Sequence, residues 1–262
     1  MDLSIVVPSI RHQILPRLLE SIPAALGDKT WELVIVSPSF DDVFIDEFAQ
    51  YRSRTPNMVR ASLLEDSGSP ARCLQRAVAE HVHAPIFTWF ADDGVLSPDV
   101  LGRCVDLLKG KKINDGVIVK YTEKGPGTFT GACDEYYISK NHGANNQPGI
   151  PGHYKIAPVG MFWTKYWRMM GGIDSVNFDH INMNAHQFAY RLQDDGGELH
   201  YSPDVVMYCD SDNWGADHRV LDQAYELKDL PNFIELYKDD SSRGPIELDN
   251  WKRSEEVWRR FK

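Results

Sequence analysis

Over roughly its first 120 residues the chain alternates short apolar runs with amphipathic stretches, and few architectures accept that beat. Leu3 to Val7 is a continuous apolar run closed by Pro8, and Glu32-Leu33-Val34-Ile35-Val36 is the next. Between them Leu15, Leu18, Leu19, Ile22 and Leu26 recur at helical spacing, which predicts a helix over 14–26. Val43, Phe44, Phe48 and Tyr51 predict a second helix, and residues 58–64 a third strand. Ser69-Pro70 has the chemistry of a helix start, a hydroxyl cap followed by proline at the first helical position, and Leu74, Ala77 and Val78 follow on one side. A strand at 86–91, a helix at 98–109 and a strand at 116–121 complete the series. Strands apolar throughout are buried on both faces. Their alternation with helices implies a mostly parallel sheet, Rossmann-like, with helices on both sides and right-handed crossovers.

Beyond residue 122 the beat changes. Residues 122–158 are rich in Gly, Asn and Pro, which predicts one or two hairpins and a loop around His142 to His153. Pro158 to Trp163 returns to a strand, and a short helix carrying Trp167 and Met170 ends at Gly171-Gly172. A helix over 184–194 and a strand from Tyr201 to Tyr208 follow. The tail from 217 to 262 is expected to be helical, with Trp251, Val257, Trp258 and Phe261 as its apolar stripe.

The chemistry concentrates in Phe87-Thr88-Trp89-Phe90-Ala91-Asp92-Asp93-Gly94, where an apolar strand ends in two adjacent carboxylates. Ser97-Pro98 just beyond reads as another capped helix start. Open α/β sheets place their ligands at the carboxyl ends of strands. A bare carboxylate is costly to bury, so packing explains two of them poorly, and a divalent cation explains them well. The net charge of −10 argues against sequence-independent binding to nucleic acid or to an anionic membrane surface. Four separated cysteines, Cys73, Cys104, Cys133 and Cys209, form no metal-site spacing and no disulfide framework. With no signal-peptide pattern and no long apolar run, they lead us to expect reduced thiols in a cytoplasmic protein.

Five landmarks stand in a recognisable order: Val7-Pro8-Ser9, the second strand ending near Ser37, Gly68-Ser69-Pro70-Ala71-Arg72, Phe90-Ala91-Asp92-Asp93-Gly94, and Gly171-Gly172-Ile173-Asp174. Over about residues 3–210 the chain resembles the family 2 type of nucleotide-diphospho-sugar glycosyltransferases, which have the glycosyltransferase A fold. The resemblance implies a catalytic domain over 1–215, its donor half about 1–121 and its acceptor half about 122–215, with 216–262 a helical extension. It implies a metal-dependent transfer of a sugar from a nucleotide-diphospho-sugar to an acceptor hydroxyl, with inversion. Asp92-Asp93 matches the family's DXD-like motif: Asp93 would ligate Mn²⁺ or Mg²⁺ and Asp92 would face the ribose. Pro8, Ser9, Ile10 and Arg11, then Ser37, Pro38, Ser39 and Asp41, match the base-binding positions, although relatives often carry an acid where Ser37 stands. Arg72 matches a basic position near the donor phosphates.

Inversion needs a carboxylate within reach of the acceptor hydroxyl. Relatives usually supply Glu-Asp after the Gly-Gly turn, but here Asn184 and Ala185 occupy those places. Asp179 is the nearest remaining acid, with His180 and His186 as neutral alternatives, and Asp174 reads as a brace for the glycine turn. His218 corresponds to a C-terminal histidine that closes the metal site in several such enzymes, and capping the following helix is its other reading. Trp163, Trp214 and Tyr154 are either sugar-stacking plates or core. Two other functions stay open: a sugar-nucleotide or glycan-binding module without a base, and a nucleotidyltransferase. The second lacks the glycine-rich loop it needs after the first strand.

Overall fold

In the computed structural model, residues 1–123, 137–138, 154–209, 216–237 and 244–258 are described. The predicted loop around His142 to His153, together with Cys133, Trp214 and Phe261, lies outside them. In chain order the elements begin with β1 (Leu3–Pro8), α1 (Leu15–Leu26), β2 (Trp31–Ser37), α2 (Asp42–Ser53), β3 (Met58–Glu65), α3 (Pro70–Glu80) and β4 (Ile86–Trp89). There follow β5 (Gly94–Leu96), α4 (Val100–Lys109), β6 (Gly116–Ile118), β7 (Tyr121–Glu123), β8 (Tyr137–Ile138), β9 (Tyr154–Lys155), β10 (Gly160–Trp163) and α5 (Thr164–Met169). The chain continues through α6 (Ile181–Asp194), β11 (Leu199–Tyr201), β12 (Met207–Cys209), α7 (Ala216–Ala224), a π-helical turn (Tyr225–Asp229), α8 (Leu230–Tyr237) and a 3₁₀ turn (Asn250–Arg253).

The main sheet has the order β11-β6-β10-β4-β1-β2-β3. Only β10 runs against the others, pairing antiparallel with both β4 and β6. Alternate residues of each strand feed opposite faces, which is why the strands are apolar throughout. Leu3, Ile5, Val7, Leu33 and Ile35 pack under α1, α2 and α4, whereas Val6, Val34, Val36, Phe87 and Trp89 pack under α3, α5 and α6. The expected α/β fold, with a mostly parallel sheet between helices, is the one present.

The chain builds β1, β2 and β3 outward and then returns to lay β4 on the other side of β1. That reversal opens a crevice beyond the carboxyl ends of β1 and β4, the place where such sheets take ligands.

Three local expectations change. Ser97-Pro98 does not start α4, which begins at Val100 after Asp99 in a left-handed conformation. Gly94–Leu96 instead pairs with Met207–Cys209 in a second sheet, β5-β12-β7, and the Ser97 N–H is taken by the Val206 carbonyl. The single strand expected from Tyr201 to Tyr208 is split, β11 joining the main sheet and β12 the small one. The tail is helical only to Tyr237 among the described residues; residues 244–249 are irregular, and Trp251 sits in the 3₁₀ turn.

That irregular segment is fixed by polar bonds. Gln75 donates to the carbonyls of Gly171 and Leu248, and the Ile246 N–H donates to Met170. Gly171 has φ +78°, and a Cβ there would stand 1.7 Å from the Ile246 carbonyl oxygen. Gly171→Ala is therefore expected to lower unfolding free energy by about 2–4 kcal/mol, through left-handed strain and displacement of the tail segment. Urea denaturation beside a surface glycine control, Gly244→Ala, where nothing lies within 4 Å, checks it.

Candidate active site

A cavity of about 380 Å³ lies over the crevice, within the common range for small-ligand sites. Pro8, Ser9, Ile10 and Arg11 line it from the end of β1, Val36 and Pro38 from β2, and Asp66, Ser67 and Gly68 from the turn after β3. Trp89 to Asp93 line it from β4, with Tyr121, Met207, Leu221, His180 and Trp258 closing the far side. Gly94 lets β12 approach directly behind the acids, since a Cβ there would meet the Met207 sulfur at 2.5 Å.

The two acids are held differently. Asp92 is 4% exposed. Its Oδ2 accepts from Ser9 Oγ at 2.8 Å and from Arg11 Nε at 3.3 Å, while Arg11 Nη2 donates to Oδ1. The same Nη2 lies 3.7 Å from Asp93 Oδ2. One guanidinium thus spans both carboxylates. The cavity is otherwise largely apolar, and hard oxygen donors are what Mn²⁺ or Mg²⁺ prefers. Among the described residues no group of three or more His, Cys, Asp or Glu side chains could hold a metal ion. The acid pair supplies part of a cation's oxygen shell, which waters or substrate phosphates would complete, as in many Mg²⁺ sites. The side chain of His218 is outside the described residues, although its backbone begins α7.

The other expected donor-side residues face elsewhere. Ser37 Oγ bonds to His12 Nε2 at 2.9 Å and donates to the Ser39 carbonyl, and neither serine lines the cavity. Asp41 caps α2 by accepting from the Phe44 N–H. Arg72 is buried at the start of α3, capped by Ser69 as predicted, but its guanidinium turns from the cavity. Its Nε reaches Asp66 at 3.0 Å, Nη1 donates to the carbonyls of Trp251 and Ser254, and its plane stacks on the Trp251 ring. Arg76 completes this clamp on Asp66 at 2.8 Å and on the same ring. A buried arginine with a buried partner explains Arg72 as a tether for the tail.

Before α6, Asp179 is 8% exposed, with Lys228 Nζ on one oxygen at 2.7 Å and Trp258 Nε1 on the other at 3.2 Å. It does not line the cavity; its neighbour His180 does. Asp229, from the π-helical turn, accepts the backbone N–H groups of Asp179 and His180 and so fixes the chain just before α6. Burial, reinforced by Asp179, pushes the Asp229 carboxyl up to about 7. Burial pushes His186 down to about 3, so it stays neutral, and it is not on the cavity wall. Cys73 reaches the wall, but burial raises its thiol, so it is no nucleophile at neutral pH. Asp174 braces the turn after the glycines through the N–H groups of Val176 and Asn177. Asn184 and Ala185 are fully buried on α6. Trp163 packs against the core, and the Tyr154 side chain is outside the described residues.

Sequence reasoning missed Trp258 and Asp66 on the cavity wall. Trp258 donates its N–H to the Ser67 carbonyl, 191 residues away in sequence, and no local pattern foretells that. Asp66 had a signal, an acid between the third strand and the Gly68 turn.

The Asp229 shift has a definite sign. Its folded pKa lies above the unfolded value of 3.8, so the folded chain binds more protons between the two. Its contribution to stability is full below about 4 and is lost as pH rises through about 7. The stability of wild type relative to Asp229→Asn is expected to fall across that window, as measured by denaturation at a series of pH values.

No protein-family model and no curated protein matches the chain. Solved structures do. The mannosyltransferase PcManGT from Pyrobaculum calidifontis, solved with GDP-Man and Mn²⁺, superposes with a TM-score of 0.61 at 14% identity, over 92% of this chain and 66% of that one. TarS residues 1–349 from S. aureus, solved with UDP-GlcNAc, gives 0.58 at 15% identity, over 82% and 60%. GalNAc-T7, solved with UDP, GalNAc and Mn²⁺, gives 0.60 at 9%, over 82% and 45%. The chain therefore spans about half to two thirds of these relatives' lengths. At such identities the likeness is one of fold, and the fold is that of the glycosyltransferase A enzymes, nucleotide-sugar transferases among them.

Proposed function

We propose that this chain is a glycosyltransferase that moves a sugar from a nucleotide-diphospho-sugar to an acceptor hydroxyl, with inversion. The observation that carries the reading is the Asp92-Asp93 pair, set on a ligand-sized cavity at the crossover between β1 and β4. The matching structures, solved with UDP-GlcNAc and with GDP-Man, support this reading of the reaction class. Pro8, Ile10, Val36 and Pro38 form an apolar wall suited to a nucleobase, and Asp92, anchored by Ser9, would face the ribose. Asp93, with Asp92 beside it, would hold Mn²⁺ or Mg²⁺; when bound, the ion neutralises charge on the departing nucleoside diphosphate. His180 is the better-placed proton acceptor, because it opens on the cavity while both oxygens of Asp179 already accept hydrogen bonds. Asp179 then fixes the entrance of α6, its carbonyl accepting the Ala71 N–H at the start of α3.

The second reading, a binding module without turnover, draws on Asn184 and Ala185 being core residues where relatives carry acids. Hydrolysis of UDP- and GDP-sugars with Mn²⁺ separates the two. Turnover is expected, and Asp93→Ala should lower kcat by at least about a hundredfold through lost stabilisation of the leaving group. His180→Ala should lower transfer while sparing nucleotide affinity in calorimetry. Nucleotide binding with no turnover across a panel of donors and acceptors would establish the binding module instead.

A further inference from the structure

Arg11 stands where a cation belongs. Its guanidinium makes two contacts with Asp92 and one of 3.7 Å with Asp93, from a side chain 19% exposed on the loop after β1. The two acids are nearly enclosed, with side-chain exposures of 6% and 10%. Carboxylates so placed need a positive partner, and the fold supplies one. Arg11 also lines the cavity, and its planar fork suits diphosphate oxygens as well as carboxylate oxygens.

We propose that Arg11 is the resident cation of the acid pair, that a divalent ion gains Asp93 only by displacing it, and that the released guanidinium passes to the diphosphate of the incoming nucleotide. Metal and nucleotide then enter together: the ion alone must remove a bound positive charge, whereas the metal–diphosphate brings an anionic partner for it. The second half rests on the glycosyltransferase reading; the first half stands without it.

The first test uses Mn²⁺ alone, titrated into the full chain and followed by the electron paramagnetic resonance of the free ion. Arg11→Gln is expected to bind Mn²⁺ at least about tenfold more tightly than wild type, the scale of coupling between close charges. Arg11→Lys, which keeps the charge, should stay within about threefold of wild type. Adding Asp93→Asn to Arg11→Gln should abolish the gain. Equal affinity in wild type and Arg11→Gln, or no Mn²⁺ binding by either, overturns the proposal. The second test repeats the titration with UDP or GDP present. The nucleotide should raise Mn²⁺ affinity by a larger factor in wild type than in Arg11→Gln, because only wild type has a guanidinium to transfer. An equal factor overturns the transfer. A tenfold gain with no nucleotide bound sinks the glycosyltransferase reading and the transfer but leaves the displacement standing. Sugar transfer with no gain in Arg11→Gln overturns the displacement, and the guanidinium transfer with it, but leaves the glycosyltransferase reading standing.

Discussion

Two adjacent carboxylates at the end of one buried strand impose the condition that most of this site satisfies. A charge that has lost its water must be paired and hydrogen-bonded. Asp92 meets that condition by drawing on β1: Ser9 and Arg11 both reach across to it from the neighbouring strand end. The contact closes the crossover from below. It ties together the two strands between which the chain reverses direction, so one ion-paired cluster defines the floor of the cavity and joins the two halves of the crevice.

A second buried acid organises the opposite rim. Asp66, at the end of β3, accepts from the Gly68 N–H and from both Arg72 and Arg76. Both arginines then stack on Trp251, and Arg72 also bonds to tail carbonyls, so the segment 244–258 is hung from α3 by charge and ring contacts rather than by a hydrophobic stripe. Asn250 reinforces this by accepting from Ser175 and donating to the Ile173 carbonyl. The tail can therefore be irregular in backbone and still be firmly placed, since its polar groups find partners on α3 and on the glycine turn.

These two clusters explain which parts of the molecule are legible in the sequence. Strands β1 through β4 and helices α1 through α3 follow from periodicity, because a strand buried on both faces and a helix with one apolar side leave local traces. The acid pair is legible for the same reason: it interrupts such a strand. Where the reading departs from the structure, a distant partner has overridden local chemistry. Ser97-Pro98 has the composition of a helix start, but β5 pairs with β12 more than a hundred residues later and pulls the chain past that point. Trp251, Val257 and Trp258 imitate a helical stripe; in the fold Trp251 meets two guanidinium groups, Val257 is exposed and bridges Ser67, and Trp258 turns inward. Arg72 looks like a phosphate ligand at a helix start, and only the position of Asp66 and the tail shows that its charge is already used.

The same contrast separates the two sides of the cavity. One side is built from the ends of β1, β2, β3 and β4, so its geometry follows from the sheet. The other side is built where α6 begins, and residues distant in sequence fix it: Asp229 accepts the N–H groups of Asp179 and His180, Lys228 pairs with the Asp179 carboxylate, and Trp258 donates to its remaining oxygen. A π-helical turn at Tyr225–Asp229 shifts the register of that stretch relative to an ordinary helix, and both Lys228 and Asp229 reach residues 179–180 from within it. Asp179 is thus embedded in a network beside His180, which lines the cavity. That side depends on contacts between residues about 50 and 80 positions apart, and for that reason the orientation of Asp179 could not be read from its own segment.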